Sequence, residues 1–155
     1  MKIMEFIYSM LVNKNSKNKR AIKGCTEEDI RKLENVLNVE LPIVFKQYLL
    51  VFGRTHEDII SYVIKFPYLT SVQEEAIQKL SEFDNEFKDH MDIIIIDLVY
   101  SQQGIYLLYL KDISYYDDPP VYEFMEGVSP QSYRISNSFS SFIIERILRK
   151  WGKKI

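Results

Sequence analysis

The chain has 155 residues, of which 46% are hydrophobic and 27% charged, and its formal net charge is −2. This composition is typical of one globular domain over 1–155 and excludes a disordered or fibrous chain. The single cysteine, Cys25, excludes an internal disulfide framework, and with only two histidines the chain offers no zinc-ligand spacing. We therefore expect no metal and no cofactor, and we predict a cytoplasmic protein.

The first twenty residues combine an early lysine with an apolar run, as a secretory signal does. Glu5 interrupts that run, and no small-residue cleavage site follows it. The apolar residues instead recur at the spacing of one helix face, which predicts an amphipathic helix packed on a core through Ile3, Phe6, Ile7, Met10 and Leu11. No apolar run approaches the ~20 residues that span a bilayer, so we expect no membrane segment.

Two further helices are predicted after a polar loop at 13–24. Thr26 and Asp29 have the spacing of a capping box, and a buried face follows at Ile30, Leu33 and Leu37. In the second helix, Pro42 suits the first turn and Gly53 suits a left-handed end. Its apolar stripe is Leu41, Phe45, Tyr48, Leu49 and Phe52.

The pattern then changes to short β-branched and aromatic segments, which predict strands at 61–66, 92–99 and 104–110. Four consecutive isoleucines at 93–96 show no polar alternation, so we expect their strand to be covered on both faces and central in its sheet. Between the first two strands, 71–90 predicts a helix with an acidic outer face and the stripe Val72, Ala76, Leu80, Phe83 and Phe87.

The last third of the chain predicts a return to helix. A hairpin turn is expected at 100–106 and an extended return at 115–124, where paired prolines exclude helix. The closing helix, capped by Asn137 or Ser138 and basic in its last turn, has the stripe Phe139, Phe142, Ile143, Ile147 and Trp151. Because helices and strands are grouped rather than alternating, the fold class is α+β with a mainly antiparallel sheet.

Four segments follow one another in an order seen in a known family. The stretch 27–53, EEDIRKLENVLNVELPIVFKQYLLVFG, joins a helix, a short break and a Leu-Pro helix that ends at glycine. It is followed by IIIIDLVYSQQGIYLLYL, DDPPVYEF and SFSSFIIERILRKW. This order resembles the SUKH superfamily, which includes fungal glucan-synthesis regulators and bacterial immunity proteins. Ile105 and Phe124 depart from the family pattern, which often has an acidic residue after the turn glycine and a Trp in the Pro-Val-Tyr segment.

Several residues could carry chemistry, but each has a plainer interpretation. His90 with Asp89 and Asp92 could be a base and its orienting carboxylate, although no serine, cysteine or second histidine is placed to complete a catalytic set. Cys25 at a helix start could have a lowered thiol pKa or could be a boundary residue without a role. The basic ends KNSKNKRAIK and RKWGKK could form a nucleic-acid patch, but they are more typical of a solvated loop and a helix end.

The strongest functional signal is acidic. Residues 74–126 hold thirteen acidic and three basic residues, a net charge of −10. Such a surface can speed encounter with a basic partner, or it can simply solubilise the fold. The predicted partner-binding residues are Asp84, Glu86, Asp89, Asp117, Asp118, Tyr122, Glu123 and Glu126, drawn from an acidic run that also includes Glu82, Asp92 and Asp112. Further aromatic anchors are suggested at Tyr115, Tyr116 and Tyr133.

The resemblance implies a non-enzymatic immunity protein that binds and neutralises a basic, nuclease-type toxin domain in the cytoplasm, without binding nucleic acid or membrane. The second hypothesis is a regulatory scaffold in cell-wall synthesis or signalling. An enzyme is the third. The first two hypotheses are separated by the identity of the neighbouring gene, which the sequence of this chain does not reveal.

Overall fold

The computed structural model describes residues 3–56, 59–60, 62–83, 92–99, 104–110, 117–127 and 132–151. Within these ranges five helices come first, followed by four strands and a last helix, which confirms the α+β class. The elements are α1 (Ile3–Lys14), α2 (Asn18–Ala21), α3 (Glu27–Leu37), α4 (Ile43–Phe52), α5 (Tyr68–Phe83), β1 (Ile93–Val99), β2 (Gly104–Tyr109), β3 (Val121–Met125), β4 (Ser132–Ser136) and α6 (Phe139–Trp151).

The first helix, α1, packs against α4 and α6, as its amphipathic spacing predicts. Its buried residues are Met4, Ile7 and Leu11, whereas Phe6 is 45% exposed, so the buried stripe is rotated from the predicted one. The polar segment that follows is not only a loop. It contains the short helix α2, whose buried Asn18 donates its side-chain amide to the carbonyl of Leu11 at 2.8 Å.

The α3 start confirms the capping box. The Asp29 amide donates to the Thr26 hydroxyl at 3.1 Å, and the Thr26 amide donates to the Asp29 carboxylate at 2.9 Å. These bonds satisfy helix N–H groups that have no partner within the helix. At its other end α3 stops at Asn38, which takes the left-handed conformation with φ 52°.

The ends of α4 differ from prediction. Pro42 precedes the helix as its N-cap, and Gly53 has φ −59°, so a left-handed end is wrong. Glycine is needed there for space: a Cβ at Gly53 would lie 2.6 Å from the Leu49 carbonyl oxygen and 3.1 Å from Cys25 Sγ. The segment before α3 runs along this end of α4, with the Cys25 amide donating to the Leu49 carbonyl at 3.0 Å.

The four strands form an antiparallel meander in the order β1-β2-β3-β4. Strand β4 was not predicted, and β1 lies at the sheet edge rather than at its centre. The isoleucines of β1 are nevertheless buried on both faces, as expected, because Ile94 and Ile96 join the main core while Ile93 and Ile95 join a second cluster under α5.

The outer edge of β1 is closed by other groups. The Gln73 side chain of α5 accepts from the Ile95 amide at 2.9 Å and donates to the Ile95 carbonyl at 2.8 Å. The Ile64 amide donates to the Ile96 carbonyl at 2.8 Å. Residues 62–66 otherwise follow bends and a turn, so the strand predicted at 61–66 is wrong for the described part of that segment.

The closing helix α6 buries Phe139, Phe142, Ile143 and Ile147, as predicted. Ser138 caps it, since its hydroxyl accepts from the Ser141 amide at 3.1 Å. The Trp151 indole N–H donates to the Ile59 carbonyl at 3.2 Å, which connects the end of α6 to the segment between α4 and α5. None of the helices within the described ranges has the length and apolar character needed to cross a membrane.

Candidate partner-binding surface

The described acidic residues among the predicted partner-binding residues lie at different places in the fold. Asp84, Glu86 and Asp89, with Asp112, Tyr115 and Tyr116, lie outside the described residues. Among the described ones, Asp117 and Asp118 precede β3, whereas Glu126 follows it. Because a strand is extended, the first two and the last lie at opposite ends of the sheet.

Two of these acidic residues have structural roles. The Asp118 carboxylate accepts from the Ser140 amide at 2.9 Å and from the Ser140 hydroxyl, which places a negative charge at the positive end of α6. The Asp117 side chain is exposed, but its backbone carbonyl accepts from the Val44 amide at 3.0 Å in the first turn of α4. This corner therefore connects β3 to two helices.

Glu123 differs from the prediction of an exposed rim residue. Its side chain is 5% exposed, and its Oε1 has no hydrogen-bond partner among the described residues. It pairs across the sheet with Tyr106 and Tyr133. In this position the carboxylate cannot contact a partner that binds the outer surface.

Tyr122 is half-buried on the sheet face that α5 also covers. Its ring meets that of Tyr109 edge-on at a centroid distance of 4.8 Å. The Arg134 guanidinium lies 5.7 Å from the Tyr122 centroid and donates to its hydroxyl at 3.2 Å. Tyr133, on the opposite face, is 39% exposed. Part of the Tyr122 side chain is therefore already engaged in contacts within the sheet.

A concave feature of the described residues lies elsewhere, along α5. A cleft of about 730 Å³ opens between α5, residues 54–56, residues 63–66 and the end of β1. A smaller hollow of about 110 Å³ adjoins it and shares Val72, Glu75 and Leu98 with it. We call the two together the α5 groove, whose α5 wall consists of Tyr68, Ser71, Val72, Glu75, Ala76 and Lys79.

Two basic residues of the α5 groove, Arg54 and Lys65, are held by neighbours. The Arg54 guanidinium lies 3.0 Å from the Asp29 carboxylate and 5.8 Å from the centroid of the Phe66 ring. The Lys65 ammonium donates to the Tyr48 hydroxyl at 3.2 Å. Burial raises the pKa of Tyr48 far above its usual range, and the nearby Asp97 carboxylate raises it further. Tyr48 therefore stays a neutral phenol.

Sequence reasoning missed this groove. Tyr68, its most exposed aromatic at 70%, lies just before the segment that was predicted as a helix. A signal was available, because Tyr68, Ser71, Val72 and Glu75 have the spacing of a single helix face. The opposing wall comes from residues far along the chain, and that pairing leaves no local pattern.

The candidate reactive groups are also located. Cys25 is buried, and its thiol donates to the Leu49 carbonyl at 3.1 Å. Burial, followed by the Asp29 charge, raises its pKa to about 11, so the alternative of an activated thiol is wrong. His90 and Asp89 lie outside the described residues. In the part of the chain that is described, no group of histidine, cysteine and acidic residues could hold a metal ion.

Helices that precede an antiparallel four-stranded sheet, with a last helix packed back on the core and a groove along α5, define the class as an α+β domain with a concave surface site. The chain belongs to the SMI1 / KNR4 family (SUKH-1), whose model matches residues 24–145. The match includes α3 to β4 and the first half of α6, and therefore the whole α5 groove. No curated protein matches the chain.

Proposed function

We propose that this protein is a non-enzymatic immunity protein that binds a cognate toxin domain in the cytoplasm of the producing cell and blocks the toxin's active site. The observation that carries the proposal is the SUKH-1 family match over 24–145. Immunity proteins are among the members of the wider superfamily, and they act by covering another protein.

The charge distribution supports a basic partner. The acidic third of the chain presents exposed carboxylates on α5 at Glu74, Glu75 and Glu82, and after β3 at Glu126. A nuclease domain carries a basic groove for its substrate, and an acidic protein is attracted to that groove. A nuclease-type toxin is therefore the partner that we propose.

Co-expression tests this function directly. The toxin domain encoded by the adjacent gene is expressed in a host cell with and without this chain, and the two purified proteins are mixed for size-exclusion chromatography. We expect restored growth and a stable complex. Unrestored growth together with separate elution of the two proteins would refute the proposal.

A regulatory scaffold is the second candidate, because the matched family also bears the SMI1 / KNR4 name and the fungal members are connected with glucan synthesis. Such a scaffold would bind an endogenous partner rather than a toxin. A toxin gene next to this one favours immunity. Its absence, together with a growth or cell-wall defect on deletion, favours the scaffold.

A further inference from the structure

We propose that the toxin partner docks in the α5 groove, where it inserts a segment that carries an arginine or lysine side chain between Tyr68 and Glu75. This inference rests on the proposed function and names the contact surface and the partner's chemistry. It also moves the docking site away from the acidic residues around β3.

The shape of the groove is the first argument. Its floor is apolar, because Val72 and Leu98 are half-buried and Ala76 and Ile105 are buried. Polar residues surround that floor, among them Ser71 and Glu75, which are exposed. An apolar centre within a polar rim is the anatomy of a protein–protein interface.

The second argument is Tyr68. Its side chain is 70% exposed, the largest value among the exposed large hydrophobic residues in the described ranges. A tyrosine offers a large ring and a hydroxyl with few rotatable bonds, which is why tyrosines dominate interface hot spots. Tyr68 begins α5 at the edge of the cleft, so an entering segment meets it first.

Charge selects the occupant. Three cations of the groove are engaged within the protein: Arg54 with Asp29, Lys65 with the Tyr48 hydroxyl, and Lys79, one turn after Glu75 on the groove wall, which also has an interaction of its own. Glu75 is exposed on the groove wall, and Glu74 is exposed beside it. A cationic side chain from the partner would gain attraction from both carboxylates and could stack on the Tyr68 ring. Tyr68 and Glu75 are two helical turns apart, roughly 10 Å along α5, which one short extended segment spans.

The opposite occupant, an acidic segment held by Arg54, Lys65 and His56, gives the contrary result in a charge reversal. Replacing Glu75 by lysine repels a cationic segment and attracts an acidic one. The sign of the change in affinity therefore separates the two.

The test is calorimetric titration of the toxin domain encoded by the adjacent gene into the full chain and its variants. We expect Tyr68→Ala to weaken binding about thirtyfold and Glu75→Lys about tenfold, the usual scale for an anchor and for a desolvated charge contact. The Glu75→Lys effect should shrink at high salt, since exposed charges are screened. Phe6→Ala on α1 and Glu145→Lys on α6, both at exposed positions outside the groove, are matched controls expected to bind as the wild type does.

Each result is decisive. Binding of Tyr68→Ala and Glu75→Lys at wild-type affinity, with the complex intact, refutes the groove while the immunity function stands. Tighter binding by Glu75→Lys refutes the cationic occupant. Failure of the wild-type chain to bind or protect refutes the function and the groove together. Urea unfolding of each variant confirms that a loss of binding is not a loss of fold.

Discussion

Two regions of the molecule use similar side chains for different purposes. One is the corner where the start of α3 meets the end of α4, and the other is the α5 groove. At the corner, Thr26, Asp29 and Cys25 each bond to a neighbour within the protein, and Asp29 also holds Arg54, which lines the groove. In the groove, Tyr68 and Glu75 extend into solvent. The difference teaches how to separate structure from function in this fold: substitutions at the corner should lower stability, and those in the groove should spare it.

The largest effect is expected for Gly24→Ala. A Cβ at Gly24 would lie 1.6 Å from the Leu50 carbonyl oxygen, and because that atom is backbone the two segments must separate. We expect the free energy of unfolding to fall by about 4 kcal/mol or more, measured in urea. Gly53→Ala, whose closest approach is 2.6 Å, should lose less. Equal stability of Gly24→Ala and the wild type would contradict the tight packing of this corner.

The next largest effect is expected for Gln73→Leu, because Gln73 is a structural residue directly behind the groove. The change removes two hydrogen bonds to Ile95 and leaves a buried N–H and C=O without their partner. We expect a loss of about 2 to 3 kcal/mol in unfolding free energy. Gln78→Leu, at an exposed position of the same helix, should change stability by less than about 0.5 kcal/mol. Similar losses in the two variants would show that the amide contact to β1 contributes little.

Asp29→Asn tests the electrostatics of the corner. The hydrogen bond from the Thr26 amide, followed by that from Arg54, lowers the pKa of Asp29. A lowered folded pKa stabilises the fold above the pKa of a free aspartate, about 4, and this contribution is lost as the pH falls through the folded value. We expect Asp29→Asn to lose about 1 kcal/mol or less at pH 7, and the difference from the wild type to shrink in acid.

A control for that prediction is Glu28→Gln. Its ion pair with Arg31 joins two side chains that are 59% and 64% exposed, so its removal should change stability very little. If the stability difference between Asp29→Asn and the wild type is the same at pH 3 and pH 7, the Asp29 charge does not contribute to stability.

The smallest effect is expected for Tyr68→Ala. Because the ring is 70% exposed, its removal should change the free energy of unfolding by no more than about 0.5 kcal/mol. Tyr48→Ala is the contrast, since the Tyr48 side chain is fully buried and packs edge-on against Phe139. A loss above about 1 kcal/mol in Tyr68→Ala would give Tyr68 a structural role and remove the contrast between the two regions.

Local signals in the sequence predicted the helices well. The Thr26–Asp29 capping box and the stripe of α6 depend on residues three or four positions apart, so the chain carries them in full. Gly53 was assigned to a helix end for the wrong reason. It is needed for space beside the Leu49 carbonyl and beside Cys25, a residue 28 positions earlier that the helix pattern does not include.

Sheet position was harder to predict, because burial on two faces does not reveal what lies along an edge. The four isoleucines indicated a central strand, yet a glutamine side chain and one loop amide occupy the place of a neighbouring strand. Strand β4, Ser-Tyr-Arg-Ile-Ser, has too little apolar alternation to be recognised. The described acidic residues on either side of β3 lie apart for a similar reason, since residues at the two ends of an extended strand are close in sequence but separated in space.

The double hydrogen bond of Gln73 has a consequence for recognition. It fastens α5 to β1 at a position between Tyr68 and Glu75, two residues before Glu75, so the two walls of the groove are held at a fixed separation before any ligand arrives. A preformed site loses little conformational entropy on association, so more of the contact energy appears as affinity. Loosening that tether should therefore weaken binding even where every contacting side chain is left in place.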